Sequence, residues 1–268
     1  MTNLTHSINH IILIFALGLV ALMSVHPFLI DFMGDSVPLT DDGNLHIYRA
    51  IVLDDAMRGD GTLYPRYASG LVYGYGAPLF NYFPPTSYYP TVFFHALGLG
   101  WVTAWKATMI LYVVLAGWGM YLWARQWVTP LGSVMAASAY MYAPYTLFDT
   151  VTRGSSNEFA GMAFLPFALW GFTRLGRSGR RVDFVLATLT YALFIMAHNV
   201  MTLYGSLLLV AYCLFLVLSA SDGQRRRVLW HLGTAGLLAV MMTAFFWLPA
   251  LAETDAVDQV VHGLVAVK

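Results

Sequence analysis

A carboxylate, an imidazole and a guanidinium are spaced along the sequence so that one helix face would carry all three. His46 follows Asp42 by four residues, and Arg49 follows His46 by three. Residues at these spacings share a face, so a helix that starts at Asp42 would bring the three side chains together. Such a group could bind a phosphate or move a proton. A solvated helix capped by Asp41 and Asp42 explains the same pattern, and both interpretations stay open.

The adjacent carboxylates suit two chemical roles. Either Asp41 or Asp42 could act as a general base, or the two could hold a divalent cation, Mg²⁺ or Mn²⁺, through their oxygen atoms. The sequence has no P-loop, dinucleotide fingerprint, nucleophile elbow or HExxH motif, so it points to none of the chemistries that those motifs serve.

Three other places carry polar side chains suited to binding. Arg153 and Glu158 precede an apolar run, where an arginine can hold a phosphate through two N–H groups. An interfacial arginine beside a capping acid is the alternative there. Arg66 is a second candidate phosphate contact. His198 and Asn199 stand between two apolar runs, where they could bind a ligand or simply form a tight turn.

The composition is that of a membrane protein. Of the 268 residues, 59% are hydrophobic and only 10% are charged, whereas a soluble domain carries about 25% charged residues. The apolar runs are continuous rather than alternating, which predicts spanning helices and not a barrel. The net charge is zero without a basic patch, which argues against nucleic acid as a partner. The apolar composition makes membrane lipids the expected partners. The single Cys213 excludes an intrachain disulfide.

The apolar runs predict an all-α polytopic membrane protein with about seven transmembrane helices. The run over residues 184–218 has 35 residues, and as a helix of about 52 Å it must cross a hydrocarbon core of about 30 Å twice. The first run has no Lys or Arg before it and is too long for a signal-peptide core, so we interpret it as a retained span. The predicted spans are Ile11–Ile30, Val102–Trp123, Leu131–Leu147, Phe159–Thr173, Phe184–Ala197, Val200–Leu218 and Leu229–Ala250.

Arginines in two short loops set the predicted orientation. Residues 174–181 and 225–227 are rich in arginine, and such loops face the cytoplasm. The N-terminus is then cytoplasmic, and the polar segments at 41–49, 153–158 and 198–199 share the outer face. Residues 86–99 cannot cross if this parity holds, so we predict a re-entrant or interfacial helix there. Residues 1–268 would form one membrane domain, with the candidate site in a first outer loop at 31–100 and a helical bundle at 102–250.

Several polar and aromatic segments resemble those of a known family. The segments are Asp42–Arg49, Tyr64–Tyr67, Tyr73–Phe80, Tyr82–Pro85, Arg153–Glu158 and His198–Asn199. They resemble the bacterial membrane proteins called 6-pyruvoyl-tetrahydropterin synthase-related, over most of residues 40–200. The resemblance implies the bacterial inner (plasma) membrane as location. Members are expected to be longer, so an N-terminal fragment or a truncated gene is one interpretation of this chain.

That family is similar in layout to the C-type (GT-C) membrane glycosyltransferases, which have helices in a first outer loop and a module of seven spans. The resemblance implies a polyprenyl-phosphate sugar as donor and transfer at the outer face of the membrane. It also implies Asp41 or Asp42 as base or metal ligand, and Arg49, Arg66 or Arg153 as phosphate contacts.

Two functions of different classes follow from these observations. The first is an inverting glycosyltransferase that uses a polyprenyl-phosphate sugar. The second is a non-catalytic lipid-binding, transport or scaffold protein in cell-envelope assembly. In the first, the catalytic candidates are Asp41 and Asp42, and the substrate-binding candidates are His46, Arg49, Arg66, Arg153, Glu158, His198 and Asn199.

Overall fold

The protein is helical throughout the part that the structure describes. The computed structural model describes Phe15, Gly18 and residues 20–253. Within that part, strand-like pairing is confined to an isolated antiparallel bridge between Ala68 and Ala77. The α-helices are α1 (His26–Leu29), α2 (Gly43–Asp60), α3 (Leu79–Tyr82), α4 (Tyr89–Ala96), α5 (Trp101–Ala124), α6 (Pro130–Met141), α7 (Pro144–Phe148), α8 (Ser156–Ser178), α9 (Arg181–Ile195), α10 (Asn199–Ser219), α11 (Asp222–Met242) and α12 (Ala244–Ala252). Short 3₁₀ turns lie at Val72–Gly74 and Pro85–Ser87, and a π-helical turn lies at Asp149–Arg153.

Among the described residues, two helices are long and apolar enough to cross a membrane by themselves. They are α5 and α10, and the bent pair α11–α12 makes a third if it counts as one span. Both α5 and α10 begin and end one residue outside the predicted spans 102–123 and 200–218. Helices also cover the predicted spans at 159–173 and 184–197, as α8 and α9, although α9 ends at Ile195. The total of seven spans stays a prediction.

Two predicted spans are interrupted. The predicted helix at 131–147 ends at Met141 and resumes at Pro144. Proline lacks an N–H and pushes the preceding residue into an extended conformation, as Ala143 shows with ψ 142°. The predicted helix at 229–250 bends by 62° between α11 and α12, at Thr243. Apolar composition therefore located these segments but not their breaks.

The beginning of the chain is only partly described. Residues 20–24 of the predicted first span are helical, α1 follows after Val25, and the chain leaves α1 at Ile30. Apart from Phe15 and Gly18, residues 11–19 lie outside the described part of that prediction. The segment predicted as a re-entrant or interfacial helix, 86–99, contains α4 and is helical as expected.

Helix α8 lies at the centre of the bundle, where it packs against α5, α9, α10 and α11. Glycines allow these helices to approach closely. A Cβ atom added at Gly171 of α8 would lie 2.9 Å from the Cα of Ala187 on α9, and one added at Gly119 of α5 would lie 2.9 Å from the Phe167 ring. Between helices in lipid, close van der Waals packing is a main source of association. The bundle thereby fixes the N-terminal end of α8.

The charged loops lie at opposite ends of α8. At its C-terminal end, Arg177 donates a 2.8 Å hydrogen bond to the Gln126 carbonyl, and Gly179 lies against the Arg227 guanidinium. Glu158 lies in the first turn of the same helix. With 23 residues, α8 separates the two ends by about 35 Å. The structure thus puts the arginine-rich loops at one end and the candidate site at the other.

A buried lysine attaches the chain after α1 to the bundle. Lys106 of α5 is fully buried, and its amine donates hydrogen bonds to the carbonyls of Asp31 (2.8 Å) and Gly34 (3.1 Å). Charged groups in low-dielectric surroundings need such partners. This anchor fixes the start of the segment that leads to Asp41 and Asp42.

Candidate functional site

Two loops that are far apart in sequence pair through their backbones at the N-terminal end of α8. The N–H of Asp41 donates to the Thr152 carbonyl at 2.7 Å, and the N–H of Asp42 donates to the Arg153 carbonyl at 2.8 Å. Gly154 follows with a positive φ of 69°, a conformation that glycine adopts without strain. A Cβ atom there would lie 2.6 Å from the Thr40 hydroxyl oxygen. The two loops therefore form one rigid base for the site.

The carboxylate of Asp42 does not cap the helix that follows it. Asp42 is the residue before α2, and its carbonyl accepts the first helical hydrogen bond from the His46 N–H, but its side chain makes no capping hydrogen bond. Its carboxylate instead lies 3.9 Å from an Arg153 nitrogen. The predicted helix start is confirmed, and the alternative in which the Asp42 side chain caps the helix is not observed. Asp41 is exposed.

Arg153 is held by a buried acid. Its guanidinium forms an ion pair with Glu158, with 2.8 Å between nitrogen and oxygen, and the Glu158 side chain is 3% exposed against 39% for Arg153. The second oxygen of Glu158 accepts a hydrogen bond from the Tyr145 hydroxyl. The same Arg153 nitrogen, Nη2, pairs with Glu158 and faces Asp42, while the Arg153 side chain stays partly exposed. This is how an arginine would be prepared to meet an anion.

A second acid, Asp149, lies buried beneath this pair. It begins the π-helical turn, whose closing hydrogen bond runs from the Gly154 N–H to the Asp149 carbonyl at 2.7 Å. One carboxyl oxygen accepts the Ser155 N–H at 3.0 Å, and the other has no partner among the described residues. The pKa of Asp149 is raised to about 8, mainly by burial; the Ser155 hydrogen bond and the Arg153 charge oppose this rise, and the Glu158 charge adds to it. Asp149 is therefore mostly protonated at neutral pH.

His46 and Arg49 both contact a buried tyrosine. The Nδ1 atom of His46 lies 3.0 Å from the Tyr88 hydroxyl, and Arg49 donates to the same oxygen at 3.3 Å. Because arginine can only donate, the Tyr88 proton is available for His46 Nδ1, which assigns the histidine proton to Nε2. Burial, together with the positive Arg49, lowers the pKa of His46 to about 3. His46 is thus a neutral, internal group.

His198 brings a third helix to the site. Its Nδ1 atom accepts the Met201 N–H at 3.1 Å and so caps α10. Burial lowers its pKa, and the negative charge of Glu158 partly opposes that shift. The positive form of His198 also lowers the pKa of His46. His198 therefore combines the turn role that the sequence allowed with a place near Glu158 and His46.

The site residues from Tyr88 onward fall within a recognised family domain. The family model of the 6-pyruvoyl-tetrahydropterin synthase related domain, a membrane protein, matches residues 80–265. The chain belongs to this family. No curated protein matches the chain. The match confirms the family that the sequence segments suggested, whereas similarity to the C-type glycosyltransferases stays a prediction.

The family-model match does not cover every candidate site residue of this 6-pyruvoyl-tetrahydropterin synthase-related protein. Residues 41–49 and Arg66 precede it. The structure nevertheless joins residues 41–49 to the matched part, through the backbone pairing with residues 152–153 and through Tyr88. The polar cluster of this family member is therefore built from both parts of the chain. Its members are Asp42, His46, Arg49, Tyr88, Tyr145, Asp149, Arg153, Glu158 and His198.

Arg66 belongs to a neighbouring group. It donates to the Asn81 side chain at 3.1 Å and to the Phe245 carbonyl at 2.7 Å. The Asn81 amide in turn donates to Glu253 at 2.9 Å. Asn199 lies between the two groups, because it follows His198 and donates to the Tyr82 carbonyl at 2.7 Å. Arg66 and Asn199 thus border the polar cluster without contacting Arg153.

Three members of the polar cluster were not among the sequence-based site residues. Asp149 and Tyr145 stand near the end of an apolar run, where nothing in their spacing indicates that they turn back toward Glu158. Tyr88 is one of many tyrosines in an aromatic segment, and it is fully buried. Only the tertiary fold distinguishes it from the exposed Tyr73 and Tyr75.

Among the described residues, no three or more His, Cys, Asp or Glu side chains are grouped so as to hold a metal ion. A cation held by the carboxylates of Asp41 and Asp42 would need its other ligands from water or substrate, which is usual for Mg²⁺. That metal role stays a prediction.

Proposed function

We propose that the protein is an inverting membrane glycosyltransferase that takes a sugar from a polyprenyl-phosphate donor at the outer face of the membrane. One observation carries this proposal: the half-exposed Asp42 carboxylate lies beside Arg153, which pairs with the buried Glu158. The Asp42 side chain makes no capping hydrogen bond. A carboxylate in this state can accept a proton. Fixed cationic donors beside it can stabilise a leaving phosphate.

The reaction needs one base and one cation. The acceptor hydroxyl oxygen forms a bond to the anomeric carbon of the sugar, and the bond from that carbon to the donor phosphate breaks. The phosphate leaves with the electron pair, and the hydroxyl proton passes to Asp42. Arg153 or Arg66 stabilises the phosphate charge. The buried pair of Glu158 and Tyr145 keeps Arg153 in place throughout.

His46 and Asp149 do not suit the role of base. A pKa of about 3 makes the neutral His46 imidazole a weak proton acceptor, and a pKa of about 8 keeps Asp149 protonated. Asp149 is thus a neutral acid in the interior, whereas Asp42 is a half-exposed acid beside Arg153. We assign the base role to Asp42 and a positioning role to His46, which orients Tyr88 and Arg49.

The first test is mass spectrometry of the lipids that remain with gently purified protein. Wild type should retain a polyprenyl phosphate or its sugar ester, and a double variant with Arg66→Ala and Arg153→Ala should retain less. The retained sugar ester names the donor for an assay in vesicles. Only bulk phospholipid in both proteins would contradict the proposal.

With that donor, Asp42→Asn should lower the transfer rate by about 10²- to 10⁴-fold, because general base catalysis contributes on that order. Asp55→Asn, at an exposed acid of α2, is the matched control and should transfer at the wild-type rate. Asp41→Asn distinguishes a general base from a pair of metal ligands. A loss of transfer rate equal to that of Asp42→Asn would indicate that the two carboxylates bind a metal ion together. Normal turnover in Asp42→Asn with lipid still bound would support the non-catalytic lipid-binding role.

A further inference from the structure

A long apolar groove runs along α10 and α11. Its outer part, of about 540 Å³, is lined by α9, α10, α11 and α12, and its inner part, of about 440 Å³, continues between α10 and α11. Tyr191 and Val240 line both parts, so they are continuous. On α10 the lining extends from Asn199 to Val217, which is about 27 Å of helix. The groove therefore follows the hydrocarbon thickness of a membrane.

The polar groups in the outer wall are already bonded within the protein. The Tyr191 hydroxyl donates to Ser206 at 2.9 Å, Thr202 donates to the Phe194 carbonyl at 3.0 Å, and the Trp247 ring N–H donates to the Val240 carbonyl at 2.9 Å. The groove thus offers a surface of hydrocarbon and aromatic rings. Such a surface suits an apolar chain and no polar ligand.

The outer mouth of the groove lies between the two groups of polar residues. Asn199 lines the mouth, and His198, the residue before it, belongs to the polar cluster. On the other side, Arg66 donates to the carbonyl of Phe245, which is next to the groove residue Phe246. An amphiphile with its chain in the groove would therefore have its head beside these residues.

Arg66 is suited to the head of that amphiphile. It is exposed, and only two of its five N–H groups are used by Asn81 and the Phe245 carbonyl. The nearby Glu253 is held by the Asn81 amide, and among the described residues Arg66 forms no ion pair. The guanidinium can therefore take two phosphate oxygens at once.

We propose that this groove binds the polyprenyl chain of the donor, with the donor phosphate on Arg66 and the sugar directed past His198 toward Asp42. The assignment rests on the proposed function and deepens it, because it separates the phosphate contact, Arg66, from the arginine beside the base, Arg153. That separation also suits inversion, which needs the phosphate and the acceptor on opposite faces of the sugar.

The test is photo-crosslinking with a polyprenyl phosphate that carries a diazirine in its chain, added to the purified protein in phosphatidylglycerol vesicles. The probe should label peptides of α10 and α11. Leu203→Trp, which fills the groove, should lower labelling about tenfold, the change that roughly 1.4 kcal/mol of binding free energy produces. Leu208→Trp is the matched control, because Leu208 is similarly exposed on α10 (52% against 62% for Leu203) but does not line the groove.

A second pair of variants tests the head group. Arg66→Gln should lower labelling by a similar factor, whereas Arg58→Gln, at an exposed arginine paired with Asp54, should not.

Two results would overturn the groove assignment. One is equal labelling of Leu203→Trp and wild type, and the other is the same variant pattern with a diazirine-bearing phosphatidylglycerol. If labelling behaves as expected but Asp42→Asn transfers normally, the transferase proposal fails and the groove stands. If Asp42→Asn loses transfer and the groove variants label normally, the reverse holds.

Discussion

Two aspartates of the site, Asp42 and Asp149, differ in burial and therefore in what they can do. Asp42 and Asp149 are both aspartates near Arg153, yet Asp42 is half-exposed and Asp149 is fully buried. The structure gives Asp42 no role in capping and gives Asp149 a bond to the Ser155 N–H. The first is therefore available for proton transfer, and the second is part of the support for α8.

The stability of the protein should depend on Asp149 ionisation. Because its folded pKa, about 8, lies above the unfolded value of 3.8, the folded state holds more protons between these values, and stability falls as pH rises through that window. Asp149→Asn keeps an oxygen for the Ser155 N–H and removes the ionisation. The melting temperature of wild type should therefore fall relative to the variant between about pH 5 and about pH 9.

The opposite trend belongs to His46, whose low pKa removes stability as pH falls below 6.5 toward 3. Because His46 and the other titrating groups are present in both proteins, their effects on stability cancel when wild type is compared with Asp149→Asn. A constant difference in melting temperature across the range would contradict a neutral Asp149.

Residue spacing in the sequence predicted the part of the polar cluster whose members are close together in the chain. Asp42 directly precedes α2, and His46 and Arg49 lie on it, so spacing alone fixes which side chains are neighbours. Tyr88 joins them from an irregular, aromatic segment, and its partner could only be known once α4 was packed against α2. Burial also decided that His46 is internal rather than open to a ligand.

At the scale of elements, the junction of residues 40–42 with residues 152–154 holds the site together. Gly154→Ala should destabilise the protein by about 1–3 kcal/mol, because a side chain is strained at positive φ and its Cβ would also contact Thr40. The same change should displace Asp42 from Arg153 and lower donor binding. Thermal unfolding and lipid retention of the purified variant check both effects.

A matched glycine controls for the added methyl group. Gly59 lies in α2 with no atom within 4 Å of an added Cβ, so Gly59→Ala should stabilise the helix by about 1 kcal/mol. A loss of stability at Gly59 equal to that at Gly154 would show that the junction is not special.

The apolar runs predicted the elements better than their interruptions. The helices α5 and α10 match their predicted ends within one residue because lipid-facing helices must be continuously apolar. The break before Pro144 was available from proline chemistry, since the proline is visible in the sequence. The 62° bend at Thr243 has no such signal, because the surrounding residues are uniformly apolar.

For the whole molecule, the arginine distribution predicts which end is outside. In a Cys213→Ala background, a cysteine at Leu39, which is 99% exposed beside the site, should react with a membrane-impermeant maleimide on intact spheroplasts. A cysteine at Gln224, exposed in the arginine-rich loop at the other end, should react only after permeabilisation. The reverse pattern would invert the orientation and place the site in the cytoplasm.

The backbone pairing of Asp42 with Arg153 has a consequence for how the protein is made. The two residues are about 110 positions apart, so at a synthesis rate of about 5–20 residues per second the ribosome needs roughly 5 to 20 s to reach the second after the first. Until then, the peptide groups of Asp41 and Asp42 lack their partners in residues 152–153. The site is therefore assembled only after α5 and α6 have left the ribosome, and a nascent chain arrested before Arg153 would contain the Asp42 carboxylate without the arginine beside it.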